Sequence, residues 1–170
     1  LVEDGTGGGI YVYAYQSPGG TVEGNRVGGV LGTGIQVNGY YASGVLTVSG
    51  NDLTDLGDYG IYMDSSSASQ GGSVADNRIA GVGSDGIYVN TAYDSPFSVT
   101  GNSVADGTGN GINVYAYQSA GGTVEGNEVS GVLYDGIYVY GYYSSSPLSV
   151  ADNTVTDSGE YWSTGIYVYA

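Results

Sequence analysis

The amino-acid sequence predicts an all-β fold: a right-handed parallel β-helix, or solenoid, of about six to seven coils with three short strands per coil and no helices. A repeat of about 25 residues carries this prediction, because such a period is typical of one supersecondary unit stacked on copies of itself. A Gly-Ile motif marks each repeat, with its glycine at Gly9, Gly34, Gly60, Gly86, Gly111, Gly136 and Gly165. An asparagine marks the same period at Asn25, Asn51, Asn77, Asn102, Asn127 and Asn153.

Each repeat contains three short segments with the pattern of strands. It runs Val-x-x-Asn-x-(Val/Ile/Leu), a turn rich in Gly and Asp, Gly-Ile-x-(Val/Met), and a polar loop. Alternation of apolar and polar residues indicates half-buried strands. In segment 10–15 we expect Ile10, Val12 and Ala14 to face the core and the tyrosines to face outward. Strands of successive coils should pair in parallel about 4.8 Å apart, and their connections should be right-handed.

The length and the ends of the sequence bear on its organisation. We predict that residues 1–170 form a single β-helix domain, either a segment of a longer solenoid or a stacking unit within one. The pattern begins and ends inside a repeat, so open strand edges at either end could stack on another copy. No apolar run approaches the roughly 20 residues of a membrane span, and we predict no membrane insertion.

The charge composition restricts the classes of partner and of chemistry. The net charge is −15, from 17 acidic residues against Arg26 and Arg78, and the chain has no histidine and no cysteine. Such a field repels nucleic acid and anionic membrane surfaces, so we predict no nucleic-acid partner. Arg26, Asp52 and Arg78 share one phase of the repeat, which predicts a ladder of alternating charge on neighbouring strands. Because this ladder accounts for both arginines, we predict that the chain is not an enzyme.

The combination of Val-x-x-Asn-x-Val with Gly-Ile-Tyr-Val resembles a known group of repeats. It is similar to the right-handed β-helix repeats of NosD-type periplasmic proteins and of archaeal and bacterial cell-surface proteins, and more distantly to those of pectate lyases. The resemblance covers essentially the whole chain. It implies the fold, whereas function stays open, because this fold carries lyases, epimerases, tailspikes and surface proteins.

Two polar positions of the repeat are candidates for ligands or for structural ladders. We expect the six asparagines to form an internal hydrogen-bonded ladder at one corner of the coil. A second position alternates strictly through Gly29, Asp55, Gly81, Asp106, Gly131 and Asp157, which defines a coil pair of about 51 residues. The alternation keeps like charges about 10 Å apart. Asp55, Asp106 and Asp157 are weak calcium candidates because Ca²⁺ needs six to eight converging oxygens. We therefore predict no cofactor, with calcium as the alternative.

The tyrosines are the strongest indication of function. Those expected on the outward face of the Gly-Ile strand are Tyr11, Tyr13, Tyr15, Tyr62, Tyr88, Tyr115, Tyr117, Tyr138, Tyr140, Tyr142, Tyr167 and Tyr169. Tyr40, Tyr41 and Tyr143 extend this set. They could merely support the sheet by cross-strand stacking, or they could form a broad aromatic contact face. We favour the contact face, because tyrosine is enriched at interfaces.

These observations predict a structural protein of an extracellular filament, sheath or surface layer. Its β-helices would stack end to end as a homopolymer and pack laterally through the tyrosines. The alternative is a carbohydrate-binding or adhesive module whose partner is a surface polysaccharide, and a lyase-like enzyme is a third possibility. The acidic, cysteine-free composition and the repeats favour an extracellular or cell-surface location.

Overall fold

A computed structural model describes residues 1–159 and 163–170. Within these residues the chain forms twenty strands and no helix. Each strand pairs in parallel with the strand three places further along the chain, so the strands form three sheets along a solenoid of about seven turns. The all-β prediction of three strands per coil is confirmed.

The chain visits the three sheets in a fixed order. The sheet we call the arginine sheet contains β1 (Val2–Glu3), β4 (Arg26–Gly28), β7 (Asp52–Leu56), β10 (Arg78–Val82), β13 (Ser103–Gly107), β16 (Glu128–Ser130) and β19 (Thr154–Thr156). The tyrosine sheet contains β2 (Ile10–Tyr15), β5 (Ile35–Tyr40), β8 (Ile61–Asp64), β11 (Ile87–Ala92), β14 (Ile112–Tyr117), β17 (Ile137–Tyr142) and β20 (Ile166–Tyr169). The threonine sheet contains β3 (Gly20–Glu23), β6 (Leu46–Ser49), β9 (Gly72–Ala75), β12 (Phe97–Thr100), β15 (Gly122–Glu125) and β18 (Leu148–Ala151).

Aliphatic side chains from all three sheets fill the solenoid. The isoleucines of the Gly-Ile motif pair in register from strand to strand, and those from Ile35 to Ile137 are fully buried. Val48 and Leu53 represent the equally buried ladders of the other two sheets. Because identical positions lie above one another, the choice of residue at one phase of the repeat decides a whole column of the core.

The motif glycine is required by the close approach of successive coils. A Cβ added at Gly86 would lie 2.7 Å from the carbonyl oxygen of Gly111 and 2.3 Å from a methyl group of Val104. Gly60 has the same relation to Gly86, at 2.4 Å. All three distances are far shorter than real contacts of a Cβ atom, so only glycine fits in this column from Gly9 to Gly136.

The asparagines form one continuous ladder along a corner of the solenoid. From Asn51 onward, the Oδ1 atom of each asparagine accepts hydrogen bonds from the backbone N–H and the Nδ2 of the preceding asparagine, for example 3.0 and 2.9 Å from Asn51 to Asn77. The Nδ2 atom of Asn77 also donates to the carbonyl of Val48, at 3.0 Å. The links continue from Asn25 to Asn153. Buried amides thereby satisfy turn backbone that would otherwise lose its partners.

Backbone conformation gives a second reason for the alternation of glycine and aspartate. Every residue at this phase has positive φ, including Gly29 at 63°, Asp55 at 55° and Asp106 at 55°. Glycine, aspartate and asparagine adopt this left-handed conformation most readily. Asp55 and Asp106 also lie close against the glycine of the next coil: a Cβ at Gly131 would lie 2.8 Å from Oδ1 of Asp106. Charge spacing therefore acts together with this steric requirement.

The predicted charge ladder is formed only in part. Arg26 and Arg78 both lie in register with Asp52. Arg78 Nη1 lies 3.0 Å from Asp52 Oδ1. Arg26 forms no ion pair within 4.0 Å in the described part of the chain, because one carboxylate is already oriented toward the other arginine.

Candidate contact surface

The outer face of the tyrosine sheet presents three columns of side chains, one for every second residue of its strands. Column 1 contains Tyr11, Gln36, Tyr62, Tyr88, Asn113, Tyr138 and Tyr167. Column 2 contains Tyr13, Asn38, Asp64, Asn90, Tyr115, Tyr140 and Tyr169. Column 3 contains Tyr15, Tyr40, Ser66, Ala92, Tyr117 and Tyr142. All twelve tyrosines expected on this face therefore lie on it.

Tyrosine rings in the same column stack on one another. Tyr140 lies between Tyr115 and Tyr169, with ring centroids 5.3 and 5.1 Å away and interplanar angles of 6° and 9°. Tyr138 and Tyr167 form the same stack in column 1, at 5.1 Å and 8°. Rings this close and this nearly parallel overlap in the offset-stacked geometry. They cover each other's faces, so the columns present ring edges and hydroxyl groups to solvent.

The aromatic surface is not continuous, contrary to the expectation of one broad sheet. Polar residues occupy the middle of column 2 and interrupt it. Asn38 Nδ2 donates to the Tyr11 hydroxyl at 3.2 Å, and the Tyr40 hydroxyl lies 3.5 Å from Asp64 Oδ2. The face therefore has an aromatic group at each end and a polar band between them. Only the pair Tyr62–Tyr88, with centroids 5.2 Å apart, crosses this band as an aromatic stack.

A fourth row of side chains borders the face where the strands end. This edge row consists of Gln16, Tyr41, Ser67, Tyr93, Gln118 and Tyr143, and all six residues have positive φ, between 49° and 65°. Its tyrosines are 63 to 68% exposed. A left-handed conformation costs such a residue about 1–2 kcal/mol. Tyr41 and Tyr143 also contact the face itself, with ring centroids 6.1 Å from Tyr15 and 4.0 Å from Tyr142 respectively.

Sequence reasoning missed two tyrosines of this surface. Tyr93 lies outside the strand pattern, although its spacing from Tyr41 and Tyr143 is two coils, and that alternation could have revealed it. Tyr59 precedes the Gly-Ile motif in the turn, yet its ring packs 5.5 Å from Tyr62 and 5.7 Å from Tyr88. Neither position follows the period-2 rule from which the face was predicted.

Several hydroxyls of this face have a pKa above the ordinary value of tyrosine. Burial is the main cause that raises the pKa of Tyr62, Tyr88 and Tyr138 above its ordinary value. The nearby carboxylate of Asp64 is the main cause that raises the pKa of Tyr40. A hydrogen bond to Tyr143 is the main cause that raises the pKa of Tyr142. These tyrosines are thus held in the neutral form, and Asp64 is the one acidic side chain among the three columns.

The calcium candidates do not converge. Asp55, Asp106 and Asp157 occupy the same turn column, two coils and therefore about 10 Å apart. No group of three or more metal-ligating side chains occurs in residues 1–159 and 163–170. Calcium binding by this column thus stays a prediction without support from its geometry. In the same residues no helix is long and apolar enough to cross a membrane.

Comparison with known proteins places the sequence pattern in a family. Residues 40–170 match the model described as a right-handed β-helix region. This range covers more than half of the chain and includes both aromatic stacks of the last coils. No curated protein and no solved structure matches the chain. The family match does not distinguish NosD-type proteins from the other members.

Proposed function

Because the chain belongs to the right-handed β-helix family, whose fold is consistent with a surface or adhesive module, we propose that it is a structural contact protein that acts through its tyrosine sheet. The observation that carries the proposal is the set of ordered tyrosine stacks on a nearly uncharged face of a molecule with net charge −15. Aromatic side chains with hydroxyl ends are typical of contact surfaces. We propose that the protein is located at the cell surface or in the extracellular space.

A second copy of the chain is the partner that these contacts favour. Sugar rings bind aromatic side chains through the ring face, but both faces of Tyr140 are already covered by its neighbours. Edges and hydroxyls suit interdigitation with a similar surface. The alternative partner, a polysaccharide, is favoured at Tyr11 and Tyr93, because these side chains are 62 and 63% exposed.

The titratable groups favour a role without catalysis. Asp85 is the most buried carboxylate of the described residues, and it accepts hydrogen bonds from Asn110 and Asn113 at 2.7 to 3.1 Å. These partners already explain its burial. Arg78 is paired with Asp52, and both side chains are exposed, by 67 and 44%. A lyase should release unsaturated sugars from acidic polysaccharides, and we expect no such product from this chain.

The proposal extends to a larger assembly. Lateral packing through the tyrosine sheet, combined with end-to-end stacking of solenoids, would produce an extracellular filament, sheath or layer. Electron microscopy of concentrated protein should then show ordered polymers. Particles that grow no larger than pairs of solenoids at every concentration would restrict the proposal to a pairwise contact.

The triple variant Tyr115→Ser/Tyr138→Ser/Tyr140→Ser tests the proposed surface. Removal of three stacked rings should abolish concentration-dependent association in sedimentation velocity, because aromatic anchors dominate such contacts. The matched control is Thr123→Ala/Ser98→Ala/Ser149→Ala, three outward positions of the threonine sheet. Equal loss in both variants, or no association of the original chain, would count against the proposal. Retained binding of neutral glycans by a monomeric chain would favour the polysaccharide instead.

A further inference from the structure

The edge row differs from the other left-handed columns of the solenoid in its residue types. The columns that contain Gly29 and Gly24 are built only from glycine and aspartate, which suit positive φ. The edge row has the same conformation but contains no glycine and no aspartate. Asp94, directly after Tyr93, also has positive φ but lies outside the row. Residues kept in an unfavourable conformation on an exposed surface indicate a role beyond the fold.

Large and small residues alternate along the edge row. Tyrosines occur at the ends of β5, β11 and β17, whereas Gln16, Ser67 and Gln118 follow β2, β8 and β14. The projecting rings are thus separated by two strand spacings, about 10 Å, with a shorter side chain between them. A second copy in reverse order, centred on the gap between Ser67 and Tyr93, places each ring opposite a shorter side chain.

The columns of the sheet show a matching symmetry about the gap between β8 and β11. In column 1, reversal of the order pairs aromatic with aromatic and amide with amide: Tyr11 with Tyr138, Gln36 with Asn113, and Tyr62 with Tyr88. In column 3 it pairs Tyr15 with Tyr142, Tyr40 with Tyr117, and Ser66 with Ala92. In column 2 Tyr13 meets Tyr140, but Asn38 meets Tyr115 and Asp64 meets Asn90.

We propose that two copies pack face to face through their tyrosine sheets about a two-fold axis that is parallel to the strands and passes between β8 and β11. This inference rests on the proposed function and adds the orientation and the register of the two copies. The two solenoids run antiparallel. Tyr93 of one copy lies opposite Ser67 of the other, and Asp64 lies opposite Asn90. The contact is isologous, as in most dimers of identical chains.

The single charge on the face selects this orientation. Asp64 is the one ionised side chain in the three columns, and Asn90 can donate to it across the axis, twice per dimer. If the solenoids ran parallel with equal strands opposed, the two Asp64 carboxylates would face each other and repel. Because most of the net charge of −15 lies on the other surfaces, this face is where two acidic copies can approach.

The area is sufficient for a specific contact. Six strands at about 4.8 Å and six residues at about 3.3 Å give a flat footprint of about 29 by 20 Å. The edge row and the relief of the side chains add to it, so the buried area approaches the roughly 800 Å² per partner of standard interfaces. A partner that covers only one aromatic group would leave most of this symmetric surface unused.

Cysteine crosslinking tests the register directly, because the chain has no cysteine of its own. Chains with the single substitution Asp64→Cys or Asn90→Cys, and likewise Tyr13→Cys or Tyr140→Cys, are distinguished by mass and mixed. A short bis-maleimide should crosslink Tyr13→Cys to Tyr140→Cys about tenfold more than it links either variant to itself, because two copies of either residue lie about five strand spacings, or about 24 Å, apart across the axis. Asp64→Cys and Asn90→Cys flank the axis, so each should link both to the other and to itself. A mixture of Ser73→Cys and Ser98→Cys, on the threonine sheet, is the control for random collision.

The outcomes separate this inference from the function on which it rests. Preferential linking of Tyr13→Cys to itself, in a chain that still associates through its tyrosines, would overturn the antiparallel register and leave the contact function intact. Absence of any association in the original chain would overturn both. Tyr93→Asn, which tolerates positive φ, should weaken association about tenfold without unfolding the chain. Unchanged association of this variant would contradict the role of the edge row.

Discussion

At the scale of single residues, each position of the repeat is constrained by the residues at the same position in the coils above and below. The buried asparagine ladder shows this most clearly, because each amide serves both as donor and as acceptor. The motif glycine shows the steric form of the same rule, since a Cβ at Gly86 would meet the next coil. A substitution at one coil therefore disturbs groups on two.

Replacement of an interior asparagine should cost more than replacement of one at the end of the ladder. Asn77→Ala removes the acceptor for Asn51 and the donor to Val48 and Asn102, all in buried surroundings. We expect a loss of about 3 kcal/mol in the free energy of unfolding, because several buried groups lose their partners. Asn25→Ala should cost about 1 kcal/mol, since this residue is only half-buried. Urea denaturation of both variants checks the difference, and equal losses would contradict the ladder.

The two kinds of glycine should respond differently to alanine. Gly86→Ala forces a Cβ against the Gly111 carbonyl and Val104, and we expect a loss of about 3 kcal/mol from overpacking. Gly20→Ala is the matched control, because nothing lies within 4 Å of its added Cβ and its φ is ordinary. This change should be neutral or stabilise the chain slightly. Thermal unfolding that ranks the two variants in the opposite order would refute the steric explanation.

At the scale of secondary-structure elements, the three sheets share one framework but differ in what they present. The arginine and threonine sheets expose short polar and charged side chains, whereas the tyrosine sheet exposes stacked phenols. Parallel in-register pairing converts a residue type into a column, and a column of tyrosines becomes a stack. The surface chemistry of a whole sheet thus follows from two or three positions of the repeat.

The sequence predicted the strands, the core isoleucines and the twelve tyrosines of the face, because a fixed repeat makes the register readable. It could not predict that Arg26 lacks the ion pair formed by Arg78, since side-chain conformations decide between two equivalent partners. It likewise missed the left-handed edge row. The φ angles at Tyr41 and Tyr93 depend on how the turn closes, and no local pattern of residues indicates them.

Alkaline pH should weaken both the sheet and the contact. The pKa values of Tyr62, Tyr88 and Tyr138 are raised in the folded chain relative to the ordinary value of about 10. The folded state then holds protons that the unfolded state releases, so stability is constant below about pH 10 and falls as pH rises through the folded pKa values. Phenolates would also charge the face. Titration from pH 8 upward, followed by unfolding and by sedimentation, should show both losses above about pH 10; a stability that rises there would contradict the pKa directions.

At the scale of the whole molecule, net charge and surface pattern oppose each other. A charge of −15 keeps copies apart, whereas the nearly neutral tyrosine sheet offers one face for approach. Association should therefore strengthen with added salt, because screening reduces the long-range repulsion and leaves contacts between neutral groups unchanged. Association that weakens between low and physiological ionic strength would indicate a contact based on ion pairs instead.

Sedimentation equilibrium of two matched charge variants tests the central claim most directly. Tyr140→Asp adds one negative charge to the tyrosine sheet and removes a stacked ring, whereas Thr123→Asp adds the same charge to the threonine sheet. If the tyrosine sheet is the contact surface, Tyr140→Asp should weaken self-association by at least about 100-fold, because an unpaired charge is desolvated there, whereas Thr123→Asp should leave it nearly unchanged. Equal association of the two variants would contradict the account.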